Sequence, residues 1–149
     1  MKIRRKIFVY FANKISVNFI SVSDCVQKNE LSVFGGDYPT QDGSCVRDYI
    51  DVRDLVRAHV LALDFKAVGK TFDDIVFNLG TGKGVSVFEV VNKVEEITGK
   101  PLDVNVNPRR EGDATALYAD PRKAKSILGW NAEYSLEDSI LERYRYISK

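Results

Sequence analysis

The stretch from Val33 to Asp54 constrains the fold of this chain most strongly, because it places a long polar loop between two regular elements. Its sequence, VFGGDYPTQDGSCVRDYIDVRD, holds paired glycines, a Tyr-Pro turn, an Asp-Gly turn and an Arg-Asp-Tyr triplet. Residues Leu31 to Phe34 predict a strand and residues Gly35 to Cys45 a loop, while Asp51 predicts the N-cap of a helix. Long ordered loops of this kind usually carry a binding function. The sequence therefore predicts a binding loop between a strand and a helix.

Length and charge restrict the possible functions. With 149 residues the chain can bury a core, but it is too short for a cofactor domain plus a substrate domain. Its 22 Lys and Arg against 21 Asp and Glu give a formal charge of +1, which predicts binding neither to nucleic acid nor to a membrane surface. Cys25 and Cys45 fit no zinc spacing and indicate reduced thiols in the cytoplasm. The apolar run from Ile7 to Ala12 is too short for a signal peptide, and no run predicts a membrane-spanning helix.

Helical periodicity follows the polar loop. The apolar residues that recur at intervals of three and four predict an amphipathic helix with one core-facing stripe; they are Val52, Leu55, Val56, Val60 and Leu63. His59 lies beside this stripe and is interpreted as a packed, hydrogen-bonded core residue. Further elements are predicted as a strand at 74–79, a helix from Ser86 to Gly99 with a Ser86–Glu89 capping box, a strand at 102–106, a short helix from Asp120-Pro121 to Gly129, and a last helix from Ser135.

A glycine-rich segment, Asn78-Leu79-Gly80-Thr81-Gly82-Lys83-Gly84, follows the predicted strand at 74–79 and looks like a phosphate cradle. The spacing GxGxxG fails at Val85, and Lys83 is followed by glycine where a P-loop needs Ser or Thr. A structural turn is the better interpretation. No glycine precedes Gly35, so the first part of the chain also lacks the turn that holds a dinucleotide pyrophosphate.

The segments from Phe34-Gly35 to Asp42-Gly43 and from Val46 to Ile50 resemble the UDP-glucose 4-epimerases of the extended short-chain dehydrogenase family. The resemblance is detectable from about Ile20. It implies an α/β fold: the C-terminal substrate-binding part of that family, with short strands, about four helices and the Rossmann half missing. Residues 1–19 stay unassigned, and residues 20–149 are expected to form one substrate-binding domain. The family uses NAD, but this chain is not expected to bind it alone.

Two arginines, Arg47 and Arg110, follow predicted strands on separate loops, which suits recognition of a diphosphate by planar guanidinium groups. From spacing alone, structural ion pairs with Asp48 or Glu111 are equally open. The resemblance implies that both arginines hold the phosphates of UDP. It also implies UDP-sugar contacts for Tyr49, for Asp113 at the ribose, for the Phe34 backbone at the uracil and for Leu117 at the C2 side of the hexose. The Phe34 ring is compatible with plain core packing. Leu117 is equally compatible with plain core packing.

The family's reaction passes hydride from C4 of the hexose to NAD and back, and it needs a Tyr/Lys pair spaced YxxxK. Tyr10 and Lys14 have this spacing, but they lie too close to Arg47 and are interpreted as coincidence. The sequence thus predicts a C-terminal epimerase fragment that binds a UDP-sugar and is inactive alone. Its expected protein partner is a complementary N-terminal half, or a second copy of the chain in a homodimer. Two alternatives stay open: a free-standing nucleotide-sugar-binding or interaction module, and the substrate half of a related decarboxylase or dehydratase.

Overall fold

The computed structural model describes residues 28–65 and 76–149. Within them the chain forms four helices and five short strands, as expected for a small α/β fold. The elements are β1 Glu30–Phe34, β2 Val46–Arg47, α1 Val52–Asp64, β3 Val85–Ser86, α2 Val87–Thr98, β4 Asp103–Asn107, β5 Ala116–Leu117, α3 Arg122–Leu128 and α4 Leu136–Ile147. None of the described helices is long and apolar enough to span a membrane.

The strands form two small sheets that bring distant loops together. In the first sheet β1 and β4 run parallel, with Phe34 opposite Asn107. In the second sheet β2 lies between β3, which is antiparallel to it, and β5, which is parallel and sets Leu117 opposite Arg47. Because parallel strands end at the same edge, the loop after β1 and the loop after β4 leave the first sheet side by side.

Local signals predicted most helix ends correctly. Ser86 and Glu89 form the expected capping box at the start of α2, and Gly99 ends that helix with φ +68°. Ser135 caps α4, and Gly129 closes α3. Helix α3 begins one residue later than predicted, since Pro121 is its N-cap and the Asp120 carboxylate accepts a hydrogen bond from Arg122 N at 3.1 Å.

The predicted strand at 74–79 falls partly outside the described residues, and its described part, 76–79, pairs with no strand in those residues. Phe77 and Leu79 are instead buried in a core cluster with Trp130. The Phe77 ring meets Phe65 edge-on, with centroids 5.4 Å apart. Burial of these side chains accounts for the apolar pattern that predicted a strand.

Helix α1 corrects the predicted orientation of its apolar stripe. Four of the five stripe residues form an exposed surface, called here the α1 face: Val52, Val56, Val60 and Leu63. The buried side of the helix consists of Asp54, Ala58 and Ala62. His59 is exposed as well, although its Nδ1 lies 2.7 Å from the Leu55 carbonyl oxygen, so its interpretation as a core residue is wrong.

Polar contacts of Asp54 explain why this side of α1 turns inward. Its carboxylate accepts hydrogen bonds from Glu133 N at 2.9 Å and Tyr134 N at 3.0 Å. Its carbonyl accepts a hydrogen bond from Nε1 of the fully buried Trp130 at 2.8 Å. The small side chain of Ala58 lets the indole approach the helix closely. A carboxylate whose hydrogen bonds are satisfied can be buried. Because the Asp54 side of α1 faces the core, the α1 face on the other side of the helix is exposed.

Candidate functional site

The loop between β1 and β2 is held in shape by its own polar groups. Asp42 accepts hydrogen bonds from Ser44 N at 2.9 Å and Ser44 Oγ at 2.8 Å, and from the hydroxyl of Ser86, which caps α2. Gly43 has φ +82°, and a Cβ there would lie 2.3 Å from the Gly36 carbonyl oxygen. Only glycine fits this crossing. The loop is therefore a rigid support for the residues that follow it.

The glycine-rich turn after Leu79 is filled by the side chain of Asp48. Asp48 is 1% exposed, and its carboxylate accepts hydrogen bonds from Thr81 N at 2.9 Å, Thr81 Oγ1 at 2.6 Å, Gly82 N at 3.1 Å and Ala119 N at 3.2 Å. A Cβ on Gly80 would lie 2.4 Å from the same carboxylate. The N–H groups that a pyrophosphate would need are thus bound to protein, and the turn is structural, as predicted. This turn therefore offers no fit for a dinucleotide pyrophosphate.

Arg47 and Asp113 lie together where β2 and β5 pair. Arg47 Nη1 donates hydrogen bonds to the carbonyl oxygens of Val46 and Ala114, both at 2.8 Å. Arg47 Nη2 lies 3.5 Å from Asp113 Oδ1. Because Asp48 is committed to the glycine-rich turn, the carboxylate that Arg47 meets is Asp113. The two carbonyls fix the plane of the guanidinium, and its Nη2 side faces the carboxylate.

Arg110 and Phe34 form a second pair, which a turn joins to the first: Asp113 N donates a hydrogen bond to the Arg110 carbonyl oxygen at 3.2 Å. The guanidinium carbon of Arg110 lies 3.7 Å from the centroid of the Phe34 ring. The pairing of β1 with β4 explains the contact, since Phe34 lies opposite Asn107 and Arg110 follows three residues later. Stacking uses the face of the guanidinium and leaves its N–H groups pointing outward in the plane. Arg110 can therefore stack on the Phe34 ring and bind an anion at the same time.

Leu117 and Tyr49 occupy different surroundings. Leu117 is half-buried beside Arg47 in the β2–β5 pair. Tyr49 packs against the core cluster of Val90, Val94 and Ile140, and it lines a cavity of about 760 Å³. Burial raises the pKa of the Tyr49 phenol, the nearby Cys45 adds to this, and Arg47 opposes it. Leu117 therefore borders the Arg47–Asp113 pair, whereas the ring of Tyr49 belongs mainly to the core.

Three residues that the sequence did not single out also lie in the site. Burial raises the pKa of the Cys45 thiol, while Arg47 and Arg110 lower it and Asp113 raises it. Cys45 is buried, and its thiol is influenced by charges of both arginine pairs. Tyr38 stacks against Arg109, whose guanidinium carbon lies 4.2 Å from the ring centroid. The arginine doublet 109–110 was the available signal, but spacing did not indicate that its first member faces the loop after β1.

The remaining candidates add no chemistry within the described residues. No group of three or more His, Cys, Asp or Glu there could hold a metal ion. Tyr10 and Lys14, the pair with the YxxxK spacing, lie outside the described residues. The groups that the described residues bring together are thus arginines, an aspartate and aromatic rings.

Comparison with known proteins gives consistent matches. A family model described as GDP-mannose 4,6 dehydratase matches residues 9–142. The chain is 46% identical over 120 residues to "Bifunctional UDP-glucose 4-epimerase and UDP-xylose 4-epimerase 3" of Arabidopsis thaliana. This alignment covers 80% of this chain and 34% of that protein. It is 48% identical over 119 residues to the UDP-glucose 4-epimerase of Bacillus subtilis, with 80% and 34% covered. The chain thus spans about a third of the length of these relatives.

Solved structures give the same picture. The structure of UDP-glucose 4-epimerase from Bifidobacterium longum in complex with NAD+ and UDP is similar with a TM-score of 0.79 and 38% identity, covering 89% of this chain and 39% of that one. The Stenotrophomonas maltophila enzyme with bound NAD and formylated UDP-arabinopyranose has a TM-score of 0.75 and 37% identity, covering 93% and 42%.

Proposed function

Because this chain belongs to the UDP-glucose 4-epimerase family, we propose that it forms the part of such an enzyme that holds the UDP-sugar. The observation that carries the proposal is that one turn joins the Arg47–Asp113 pair to the Arg110–Phe34 pair, since Asp113 N donates a hydrogen bond to the Arg110 carbonyl oxygen at 3.2 Å. In this proposal, residues 20–149 form one substrate-binding domain that acts in the cytoplasm, where the buried free thiol of Cys45 stays reduced.

Each pair suits one part of a nucleoside diphosphate. Arg47 is held in plane by two carbonyls, and its Nη2 and Nε atoms carry donors for phosphate oxygens. Asp113 ends a turn in which Gly112 has φ +82°, and it offers two oxygens that can accept hydrogen bonds from both ribose hydroxyls. The Phe34 backbone is assigned to the pyrimidine, while the ring of Phe34 is covered by Arg110. Arg110, stacked on that ring, provides a second cation for the diphosphate.

UDP should bind the purified chain weakly, and Arg47→Ala and Arg110→Ala should each weaken this binding. We expect a loss of about 1.5–3 kcal/mol, roughly ten- to 150-fold in Kd, because a charge-assisted hydrogen bond to phosphate is removed. Arg47→Lys should restore only part of the affinity, since an ammonium group keeps the charge but not the planar fork. Isothermal titration calorimetry with UDP measures all of these values.

Arg143→Ala is the matched control, since Arg143 lies on α4 and contacts the Tyr146 ring with a separation of 5.4 Å. This variant should bind UDP as the parent does. Equal UDP affinity in the parent, Arg47→Ala and Arg110→Ala chains would contradict the proposal and favour structural ion pairs.

Leu117→Tyr should change the choice of sugar in an enzyme that carries this segment. A larger ring beside Arg47 would fill the space that an acetamido group at C2 needs, whereas leucine leaves part of it open. Turnover of UDP-N-acetylglucosamine should fall roughly tenfold more than turnover of UDP-glucose. A parallel fall with both substrates, or no change with either, would identify Leu117 as a packing residue.

The proposal also assigns an occupant to the α1 face. Val52, Val56, Val60 and Leu63 are between 44% and 76% exposed and lie on one side of the helix, which is unusual for a surface that meets only water. The chain spans about a third of its relatives' length, so the occupant proposed here is a polypeptide corresponding to their remaining two thirds. That polypeptide would supply the dinucleotide turn and the Tyr/Lys pair, which the described residues do not provide.

A further inference from the structure

The segment 108–114 connects β4 with β5 and carries two residues of the candidate site, Arg110 and Asp113. It belongs to no helix or strand. Its turn is closed by the hydrogen bond from Asp113 N to the Arg110 carbonyl oxygen at 3.2 Å. This bond sets the two residues relative to each other, but it does not set them relative to the loop after β1. The place of the Arg110 guanidinium over the Phe34 ring therefore depends on contacts between the two loops.

Arg109, the neighbour of Arg110, makes such contacts along its side chain. A Cβ built on Gly35 would lie 2.8 Å from Cγ of Arg109, so the arginine stem crosses directly over the glycine backbone. The guanidinium then covers the ring of Tyr38, with 4.2 Å between its carbon and the ring centroid. Arg109 thus contacts the loop after β1 at two separate places.

Asp37 binds the same guanidinium through two oxygen atoms. Arg109 Nε lies 2.7 Å from Asp37 Oδ1, and Arg109 Nη2 donates a hydrogen bond to the Asp37 carbonyl oxygen. Two bonds from one planar group fix its orientation. The side chain of Asp37 is 76% exposed, and exposed ion pairs stabilise a fold only slightly. The contact is therefore better explained by the orientation that it gives to the segment 108–114 than by stability.

The loop that Arg109 contacts is itself fixed, so it can hold a second loop in place. Tyr38 is 4% exposed, and its backbone N donates a hydrogen bond to the Gly43 carbonyl oxygen at 2.8 Å. Arg109, in contrast, belongs to a segment without regular structure. Its contacts therefore transfer the order of the loop after β1 to the segment that carries Arg110.

We propose that Arg109 is a positioning residue that holds the segment 108–114 against the loop after β1 and so keeps the Arg110 guanidinium on the Phe34 ring. The inference rests on the proposed function, in which Arg110 binds the diphosphate. Without the contacts of Arg109, the segment would have to become ordered each time a ligand binds. The measured affinity would then fall in proportion to the fraction of chains that hold the binding arrangement. Arg109 itself needs no contact with the ligand.

Asp37→Ala and Arg109→Ala remove opposite charges, yet both should weaken UDP binding. Asp37→Ala should raise the Kd for UDP roughly two- to fivefold, and Arg109→Ala roughly three- to tenfold because the contact with Tyr38 is lost as well. An action of Arg109 by charge alone predicts tighter binding by Asp37→Ala, since a carboxylate that repels an anion is removed. Arg122→Ala, which breaks the exposed pair of Arg122 with Asp120, is the control and should leave the Kd unchanged. Isothermal titration calorimetry measures all three variants.

A second measurement follows Arg110 in the free chain and does not depend on UDP. The ring current of Phe34 should shift the Hε resonance of Arg110 upfield in the parent, because the guanidinium lies over the ring. Arg109→Ala and Asp37→Ala should reduce this shift, and Arg122→Ala should not.

Three results would each overturn the inference alone. They are tighter UDP binding by Asp37→Ala, unchanged UDP affinity in both Asp37→Ala and Arg109→Ala, and an Arg110 resonance that stays in both variants as it is in the parent. A parent chain that binds no UDP would overturn the proposed function and this inference with it.

Discussion

Replacing Asp48 by asparagine is expected to lower the free energy of unfolding by about 3–5 kcal/mol. The carboxylate accepts hydrogen bonds from the Thr81 and Gly82 backbone, from the Thr81 hydroxyl and from Ala119 N, and it is almost fully buried. Asparagine keeps one acceptor oxygen and turns an amide donor toward the remaining N–H groups. Each buried donor left unsatisfied costs about 1–3 kcal/mol. Urea denaturation followed by tryptophan fluorescence measures the loss.

Asp120→Asn is the matched control for this prediction. Asp120 is exposed at the start of α3, where it pairs with Arg122. The same chemical change there should move the urea midpoint far less than Asp48→Asn does. Equal shifts in the two variants would mean that the hydrogen bonds of Asp48 do not hold the glycine-rich turn against β2 and the segment after β5.

The second prediction with a large expected effect concerns epimerase activity. The purified 149-residue chain should show no turnover of UDP-galactose in a coupled assay, because its glycine-rich turn is occupied by Asp48 and cannot bind a dinucleotide pyrophosphate. Activity should appear when a polypeptide corresponding to the first two thirds of a relative is added. Turnover by the isolated chain would show that a site outside the described residues performs the chemistry.

The α1 face allows a test of how that polypeptide docks. Val56→Asp and Val60→Asp place a charge on a surface that should become buried in the complex, so restored activity should be lost. UDP binding by the isolated chain should stay unchanged in both. Tyr146→Asp changes an exposed residue on another helix, α4, and should leave the restored activity intact.

Sedimentation of the isolated chain distinguishes other occupants of the α1 face. A concentration-dependent dimer that Val56→Asp dissolves would assign the face to a second copy of this chain. Full restoration of activity in the α1-face variants would show that the added polypeptide docks elsewhere.

Helix ends were predictable from the sequence because the interactions that form them are local. Ser86 and Glu89 satisfy each other's backbone donors within one turn, and a glycine such as Gly99 ends a helix because it tolerates positive φ. Neither interaction depends on distant parts of the chain. The sequence therefore located α2, α3 and α4 to within one residue at the ends that it specified.

The orientation of α1 was not predictable in the same way. Periodicity identifies the apolar stripe but not the surface that it meets, and here the core takes the side of Asp54 and Ala58. The partners of Asp54 are backbone N–H groups of Glu133 and Tyr134, far along the chain. No local pattern indicates such a contact.

The residues of the candidate site were also predictable only in part. The resemblance selected Arg47, Arg110 and Asp113, and the structure places them on adjoining loops, while their binding roles stay predictions. Spacing offered Asp48 as a partner for Arg47, but that carboxylate is committed to the glycine-rich turn, and Asp113 is the carboxylate beside the guanidinium. Tyr38 was missed because a Tyr-Pro pair is typical of a turn, and its burial depends on Arg109.

The parallel pairing of β1 with β4 also determines when the site can form during synthesis. Between Phe34 and Asp103 the described residues form β2, α1, β3 and α2, so β1 cannot pair with β4 until all of these elements have emerged from the ribosome. Contacts between residues so far apart in sequence form late and slow the folding of a domain. An open strand that carries Val33 and Phe34 can meanwhile pair with other chains. The parallel pairing that sets the loops after β1 and β4 side by side therefore has to wait for the four elements between them.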